Sequence, residues 1–356
     1  MPDILLFGAT GYSGKLTSHA LARRGADFAI AGRNRTKLEA LAAETGDPEV
    51  RVAEVGDVDA LVNALDGVKV LITCVGPFEE LGQTAVEAAL QTRTHYIDST
   101  GEGTFIARLI REYSQQARDA GIGMAPALGF DEVPPDVAAS LAAEDLERPD
   151  LTLTYSVPST PSTGTAKSVI GIITAKGQWI IDGKKVRVRA GEHFRWAPMP
   201  APLGPKRAMS LPLAEGHLAP LHLDLNSLRL FGTTGRGQAL GAKTLPVLGP
   251  ILTFGPVKKA LVKLIDVGVK NPEGEVRNAR WTILAEARSG DRKRNVVVTG
   301  RDVYGLTAEF LSTAAQRMTE DDFNQKGVVA PVQAVGLDRL QKEMIANGVS
   351  IETFES

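Results

Sequence analysis

The chain has 356 residues, enough for two domains, and its 43% hydrophobic and 23% charged residues make an ordinary globular composition. A formal net charge of −2 provides no global field for nucleic acid. The single cysteine, Cys74, excludes an intrachain disulfide, and the five histidines show no metal-ligand spacing, so no structural metal is expected.

The first element is an apolar run, Ile4 to Phe7, followed by glycines at 8, 11 and 14 and then a helical pattern from Lys15 to Arg24. Strand, tight turn and helix N-terminus in that order form a G-x-x-G-x-x-G variant of the dinucleotide fingerprint. Gly8, Thr10, Gly11, Tyr12, Ser13 and Gly14 are the residues expected around a pyrophosphate, at the positive end of the helix dipole. With the fingerprint so close to Met1, no leader segment is read, and the cytoplasm is the expected compartment.

Asp27 to Gly32 reads as a second strand and runs straight into Arg33. An NAD site places a carboxylate here for the ribose, whereas an NADP site accommodates the 2′-phosphate with arginine. Arg33, Asn34 and Lys37 are therefore the expected 2′-phosphate contacts, and NADP(H) the expected cofactor. Thr36 to Glu39 has capping-box spacing, which predicts a helix from Thr36. Arg51 to Val55 is a third strand. Asp57 after it has two readings, an adenine contact or a helix cap.

Val68 to Thr73 is a strong apolar strand ending in Cys74-Val75-Gly76-Pro77-Phe78. Ligands of doubly wound sheets bind beyond the carboxyl ends of the strands, so this loop is expected beside the nicotinamide. Cys74 itself reads as a small buried strand residue in preference to a nucleophile. A helix over 82–92 leads to a strand at His95 to Asp98 and a polar loop, Ser99-Thr100-Gly101-Glu102, on the same edge. Phe105 to Ala120 is predicted as one helix, Ile122 to Ala125 as a sixth strand, and the loop through Asp131 follows it. This alternation predicts an α/β fold, a Rossmann-type doubly wound parallel sheet.

Leu151 to Val157 alternates as a half-buried strand, and Thr165 to Ile181 is predicted as a helix. Residues 183–232 read as irregular antiparallel strands around a proline-rich loop that suggests a flap. The stretch 244–269 is too interrupted by proline and charge to span a bilayer. Within it, 256–267 reads either as a helix covering a core or as an interfacial helix touching a membrane. Trp281 to Arg288 and Arg294 to Gly300 are paired strands, Ala308 to Met318 and Val332 to Asn347 helices, and Val349 to Phe354 a last strand.

Together the motifs GATGYSG (8–14), AGRNRTKLEAL (31–41), CVGPF (74–78), HYIDSTGE (95–102), GFDEVPPD (129–136), STGTAKS (162–168), WTILAEARSGD (281–291) and DVYGLTA (302–308) resemble the saccharopine dehydrogenase-like oxidoreductases. The resemblance is to the branch that includes the trans-acting enoyl reductases. It implies a Rossmann domain at 1–130, an inserted α+β domain at 131–310 and a C-terminal segment, 311–356, that returns to the first. It also implies an NADP(H)-dependent oxidoreductase acting on a C=C or C=O of a small apolar or lipid-like substrate. Cys74 to Phe78 with Ser99 and Thr100 would line the nicotinamide. Asp131, Tyr96 and Lys167 are candidate proton donors by location, with Asp98 and Glu102 nearby. An amino-acid C–N oxidoreductase and a non-catalytic NADPH-binding regulator remain as alternatives. A homodimer and peripheral membrane contact through 256–267 complete the expectations.

Overall fold

The computed structural model describes residues 1–157, 176–235 and 279–355. The chain divides into two compact units, Met1–Val133 with Val303–Glu343, and Pro134–Asp302 with Met344–Ser356.

The first unit is built on a seven-stranded sheet. Its strands are β1 (Ile4–Phe7), β2 (Phe28–Gly32), β3 (Glu49–Val52), β4 (Val70–Thr73), β5 (His95–Asp98), β6 (Gly123–Ala125) and β15 (Gly327–Val328). The spatial order is β15-β6-β5-β4-β1-β2-β3, and every neighbouring pair is parallel. Buried parallel strands read as continuous apolar runs because both faces are covered. One face carries Leu5, Phe7, Ala29, Leu71, Tyr96 and Met124 against residues of α3 (Val58–Ala64), α5 (Gln83–Thr92) and α7 (Ser114–Ala120). Two further helices, α1 (Tyr12–Arg23) and α10 (Val303–Thr319), pack on each other, and α10 also contacts β4 and β5. Leu306, Phe310, Leu311, Ala314 and Ala315 supply its buried stripe. Arg24 ties the pair together, its guanidinium donating to Glu309 and to Glu343.

The second unit holds a mixed sheet in the order β10-β11-β12-β7-β13-β14-β16. These are β7 (Asp150–Ser156), β10 (Phe194–Ala197), β11 (Lys206–Ser210), β12 (Ser227–Thr233), β13 (Trp281–Ser289), β14 (Arg292–Gly300) and β16 (Ser350–Glu355). Two more strands, β8 (Lys176–Ile181) and β9 (Lys184–Arg189), form a hairpin that joins β12 at Leu228 and Ile180. Leu151, Leu153, Leu228, Leu230, Ile283, Ala285, Val296 and Val298 are buried, and register places them on one face. The helices α8 (Val133–Ala143) and α9 (Glu215–Leu218) belong largely to this unit.

Local structure departs from the sequence reading in four places. Lys176–Ile181 is a strand, not the end of a helix; the rest of that predicted helix lies outside the described residues. The helix expected from Thr36, α2, starts instead at Arg35 (Arg35–Glu44), because the Asn34 side chain accepts from the Lys37 N–H at 3.0 Å and takes the cap first. The single helix expected over Phe105 to Ala120 is α6 (Gly103–Arg108), a π-helical turn over Leu109–Tyr113, and α7. The helix expected over Val332 to Asn347 is split into α11 (Pro331–Val335) and α12 (Leu337–Ala346) by Gly336. Gly336 has φ of 96°, outside the helical region.

Candidate nucleotide-binding site

Strand order reverses between β1 and β4, the place where a doubly wound sheet opens a crevice at its carboxyl edge. The loop after β1 is pinned on one side, since the Gly8 and Ala9 N–H groups both donate to the Ala31 carbonyl. Gly8 has φ of 82°, and a Cβ there would lie 2.7 Å from Val75 Cγ2. A Cβ on Gly14 would drive into the Gly8 carbonyl and lie 2.8 Å from Ala9 Cα. Both positions therefore require glycine, the first for conformation and close loop contact, the second for helix-on-strand packing. The α1 N-terminus has Gly11 as its cap, with no side-chain hydrogen bond and no acidic residue in the first turn. The positive dipole end of this helix therefore suits an anion. Tyr12 packs edge-on against Tyr304 of α10, with ring centroids 5.1 Å apart.

At the end of β2, Arg33 is exposed and forms no ion pair among the described residues. Arg35 faces Glu39 at 3.7 Å, and Lys37 is exposed. Of the expected 2′-phosphate set, Arg33 and Lys37 keep their cations free of carboxylates, while the Asn34 carbonyl is committed to the helix cap. Asp57 likewise caps α3, accepting from the Ala60 N–H at 2.9 Å, which is the capping alternative of its two readings.

The loop after β4 holds Cys74, Val75, Gly76 and Pro77 partly or fully accessible, whereas the Phe78 ring is buried against Phe105. The short helix α4 (Phe78–Leu81) is capped from a distance: Glu102 accepts from the Phe78 and Glu79 N–H groups at 3.0 and 2.9 Å. Glu102 therefore holds the loop after β4 in place. Desolvation raises the Cys74 thiol to about 12, against a hydrogen bond from Thr17.

Asp98, at the end of β5, joins three segments. Its carboxylate accepts from the Tyr96 hydroxyl at 2.6 Å, the Thr100 N–H at 2.8 Å and the Ala127 N–H at 2.9 Å. Its own carbonyl accepts from Leu128 at 2.8 Å. Burial raises the carboxyl to about 6, and the three hydrogen bonds oppose that rise. Tyr96 is fully buried, its hydroxyl is spent on Asp98, and burial with the neighbouring carboxylate pushes its pKa up. That placement corrects the expectation of Tyr96 as a proton donor to a ligand. Thr100 is also buried, with its hydroxyl accepting from the Glu102 N–H, so it shapes the loop from within.

Asp131 is exposed to solvent. A Cβ on Gly101 would lie 3.2 Å from both Asp131 Oδ2 and Glu132 Oε1, so the two acidic side chains converge on the loop after β5. The Phe130 N–H donates to Thr307 Oγ1 on α10 at 3.0 Å and fixes this loop from below. Of the candidate donors, Asp131 alone is both accessible and at the carboxyl edge; Lys167 lies outside the described residues, as does 256–267. Sequence reasoning about the site did not assign Tyr304, Thr307 or the capping role of Glu102; each acts on a segment far away in the chain. A cavity of about 780 Å³ lies elsewhere, at the amino end of the sheet, lined by Arg23, Asp27, Phe28, Glu44 and Asp47 among others.

Residues 4–124 match the model of the saccharopine dehydrogenase NADP binding domain. The match covers about a third of the chain. Its cofactor is NADP(H), and the glycine cradle and capless helix end fit the group. A putative trans-acting enoyl reductase of Mycobacterium tuberculosis is 37% identical over 142 residues, 38% of this chain and 34% of the relative. A trans-acting enoyl reductase of Mycobacterium ulcerans is 37% identical over 141 residues, with the same coverage. The match thus spans about a third of the length of these curated relatives. The solved structure of apo saccharopine dehydrogenase (L-Glu forming) from Saccharomyces cerevisiae aligns over 100% of both chains, with a TM-score of 0.67 at 15% identity. That likeness is one of fold. No helix among the described residues is long and apolar enough to cross a membrane.

Proposed function

We propose that the protein is an NADP(H)-dependent oxidoreductase that reduces a C=C or C=O of an apolar, lipid-like substrate. The observation that carries the reading is the uncapped α1 N-terminus on a glycine loop at the sheet's switch point, with the unpaired Arg33 beyond the next strand. The names of the mycobacterial relatives favour an enoyl group as the acceptor.

When bound, the cofactor supplies a hydride. The chain's own residues do the rest. The loop 8–14 holds the pyrophosphate through backbone N–H groups, and Arg33 with Lys37 holds the 2′-phosphate. Asp98 and Glu102 fix the loops beside the nicotinamide. Asp131, exposed at the carboxyl edge of the sheet, delivers a proton to the anion that develops as the hydride arrives.

The test is a fluorescence titration of NADPH and NADH against the wild type and Arg33→Ala, followed by NADPH consumption with enoyl and carbonyl thioesters of increasing chain length. A charge-assisted hydrogen bond to phosphate is worth about 1.5–3 kcal/mol, so the variant should lose NADPH affinity by roughly 10- to 100-fold and leave NADH unaffected. Equal loss for both nucleotides would refute the assignment of Arg33. NADPH binding without turnover of any acceptor would refute the reaction.

A further inference from the structure

The edge of β12 is shared. Its start pairs with β8 through Leu228 and Ile180, and its end pairs with β11 through Phe231 to Thr233. Two ribbons, β8–β9 and β11–β10, therefore extend the second unit's sheet on the same side. Between Lys184 and Arg207 these ribbons carry Lys184, Lys185, Arg187, Arg189, Arg195, Lys206 and Arg207 but one acid, Glu192. The whole chain, by contrast, has a net charge of −2.

The four cations of β9 are all exposed, and neither they nor Lys206 meet a carboxylate among the described residues. Glu192 is itself exposed, and its carboxylate accepts from the Arg189 N–H at 2.9 Å. Arg195 is the exception, held by Glu286 at 2.7 Å. Beside these charges stand large apolar groups. Trp196 on β10 is 71% exposed, and Val186 sits in the middle of the β9 cations at 40%. Arg207 lies over the Phe194 ring at 5.0 Å.

Charged side chains on an edge strand discourage pairing with another strand, and that accounts for part of β9. It does not account for an exposed tryptophan on the adjoining ribbon. Cations flanking an exposed Trp are the side chains that settle at a bilayer interface: the ring at headgroup level, long basic stems reaching the phosphates. We infer that the β8–β9 and β10–β11 ribbons form a docking surface for an anionic lipid bilayer. The inference goes beyond the proposed reaction and does not require it, although a surface of this kind would bring a lipid-like substrate within reach.

The experiment is co-sedimentation of the full chain with vesicles of phosphatidylcholine alone and of phosphatidylcholine mixed with phosphatidylglycerol, at low and high salt. Each basic residue at an anionic surface contributes about fivefold to partition. Lys185→Glu combined with Arg187→Glu should therefore lower binding to the mixed vesicles by at least about 25-fold. Trp196→Ser should weaken binding at both salt concentrations, and salt should weaken the wild type. Circular dichroism and thermal melting of each variant report folding, separately from vesicle binding. No binding to mixed vesicles, equal binding to neutral ones, or binding that survives the double charge reversal would overturn the inference. Retention by an acidic protein or a polyanion without vesicle binding would also overturn it, in favour of a macromolecular partner.

Discussion

Asp98→Asn separates the charge of this residue from its shape. The amide can still accept from the Thr100 and Ala127 N–H groups, and it can meet the Tyr96 hydroxyl by donating where the carboxylate accepted. What disappears is a buried titration. The folded-state carboxyl lies at about 6 against an ordinary 3.8. A raised carboxyl means that the folded state binds the proton more tightly than the unfolded one. Its contribution is then most favourable below pH 4 and is lost as pH rises through 6. At about 1.4 kcal/mol per pH unit, the window corresponds to about 3 kcal/mol. Denaturant unfolding of both proteins between pH 4 and pH 7.5 would measure it. The wild type should lose stability relative to Asp98→Asn by about that amount across the window, with no further change above it. A difference that stays constant with pH would show that the carboxylate is not desolvated, and the account of the hub would fail.

Gly14→Ala forces a methyl group into the Gly8 carbonyl, so NADPH binding should fall by more than 100-fold, or the domain should lose several kcal/mol in an urea melt; a variant that binds and melts normally would refute the packing argument. With the Cys74 thiol at about 12, its thiolate fraction is about a thousandth of that of an ordinary cysteine, and iodoacetamide at pH 8 should label it at a comparably reduced rate until urea unfolds the chain. His222 donates to or accepts from the buried Asp136 at 2.7 Å, and that carboxylate raises the imidazole pKa against desolvation. A raised histidine contributes stability below its unfolded pKa and loses it as pH rises past the folded value. Asp136→Asn should therefore cost more at pH 5.5 than at pH 8, as thermal melts at the two pH values would show.

The sequence carried the local part of this site because the constraints there are local. Glycines at 8, 11 and 14 follow an apolar strand; conformation at Gly8 and close packing at Gly14 demand two of them. The basic end of β2 was legible for the same reason. Asn34 and Thr36 are both competent caps two residues apart, and only the point where the strand releases the chain decides between them. The strand at Lys176–Ile181 was missed because its evidence is distant. Its apolar residues suit a helix or a strand, and pairing with β9 and the press of Gly177 against Pro212 select the strand. Glu102 reaches a helix start 24 residues away, and Tyr304 meets Tyr12 from the far end of the chain. Contacts at that separation leave no periodicity to read.

The first unit's discontinuity has a consequence for how it can be made. Its edge strand β15 and the helix α10 come from residues beyond 302, after the chain has passed through the whole second unit. A ribosome therefore releases β1 to β6 well before Leu306, Phe310, Leu311 and Ala314 exist to cover them. During that interval the nascent sheet has part of an apolar face uncovered at β4 and β5 and an open edge at β6, a state in which parallel sheets are exposed to aggregation. A fragment ending at residue 302 would be trapped there permanently, with its fingerprint loop intact and no helix for that loop to lean on.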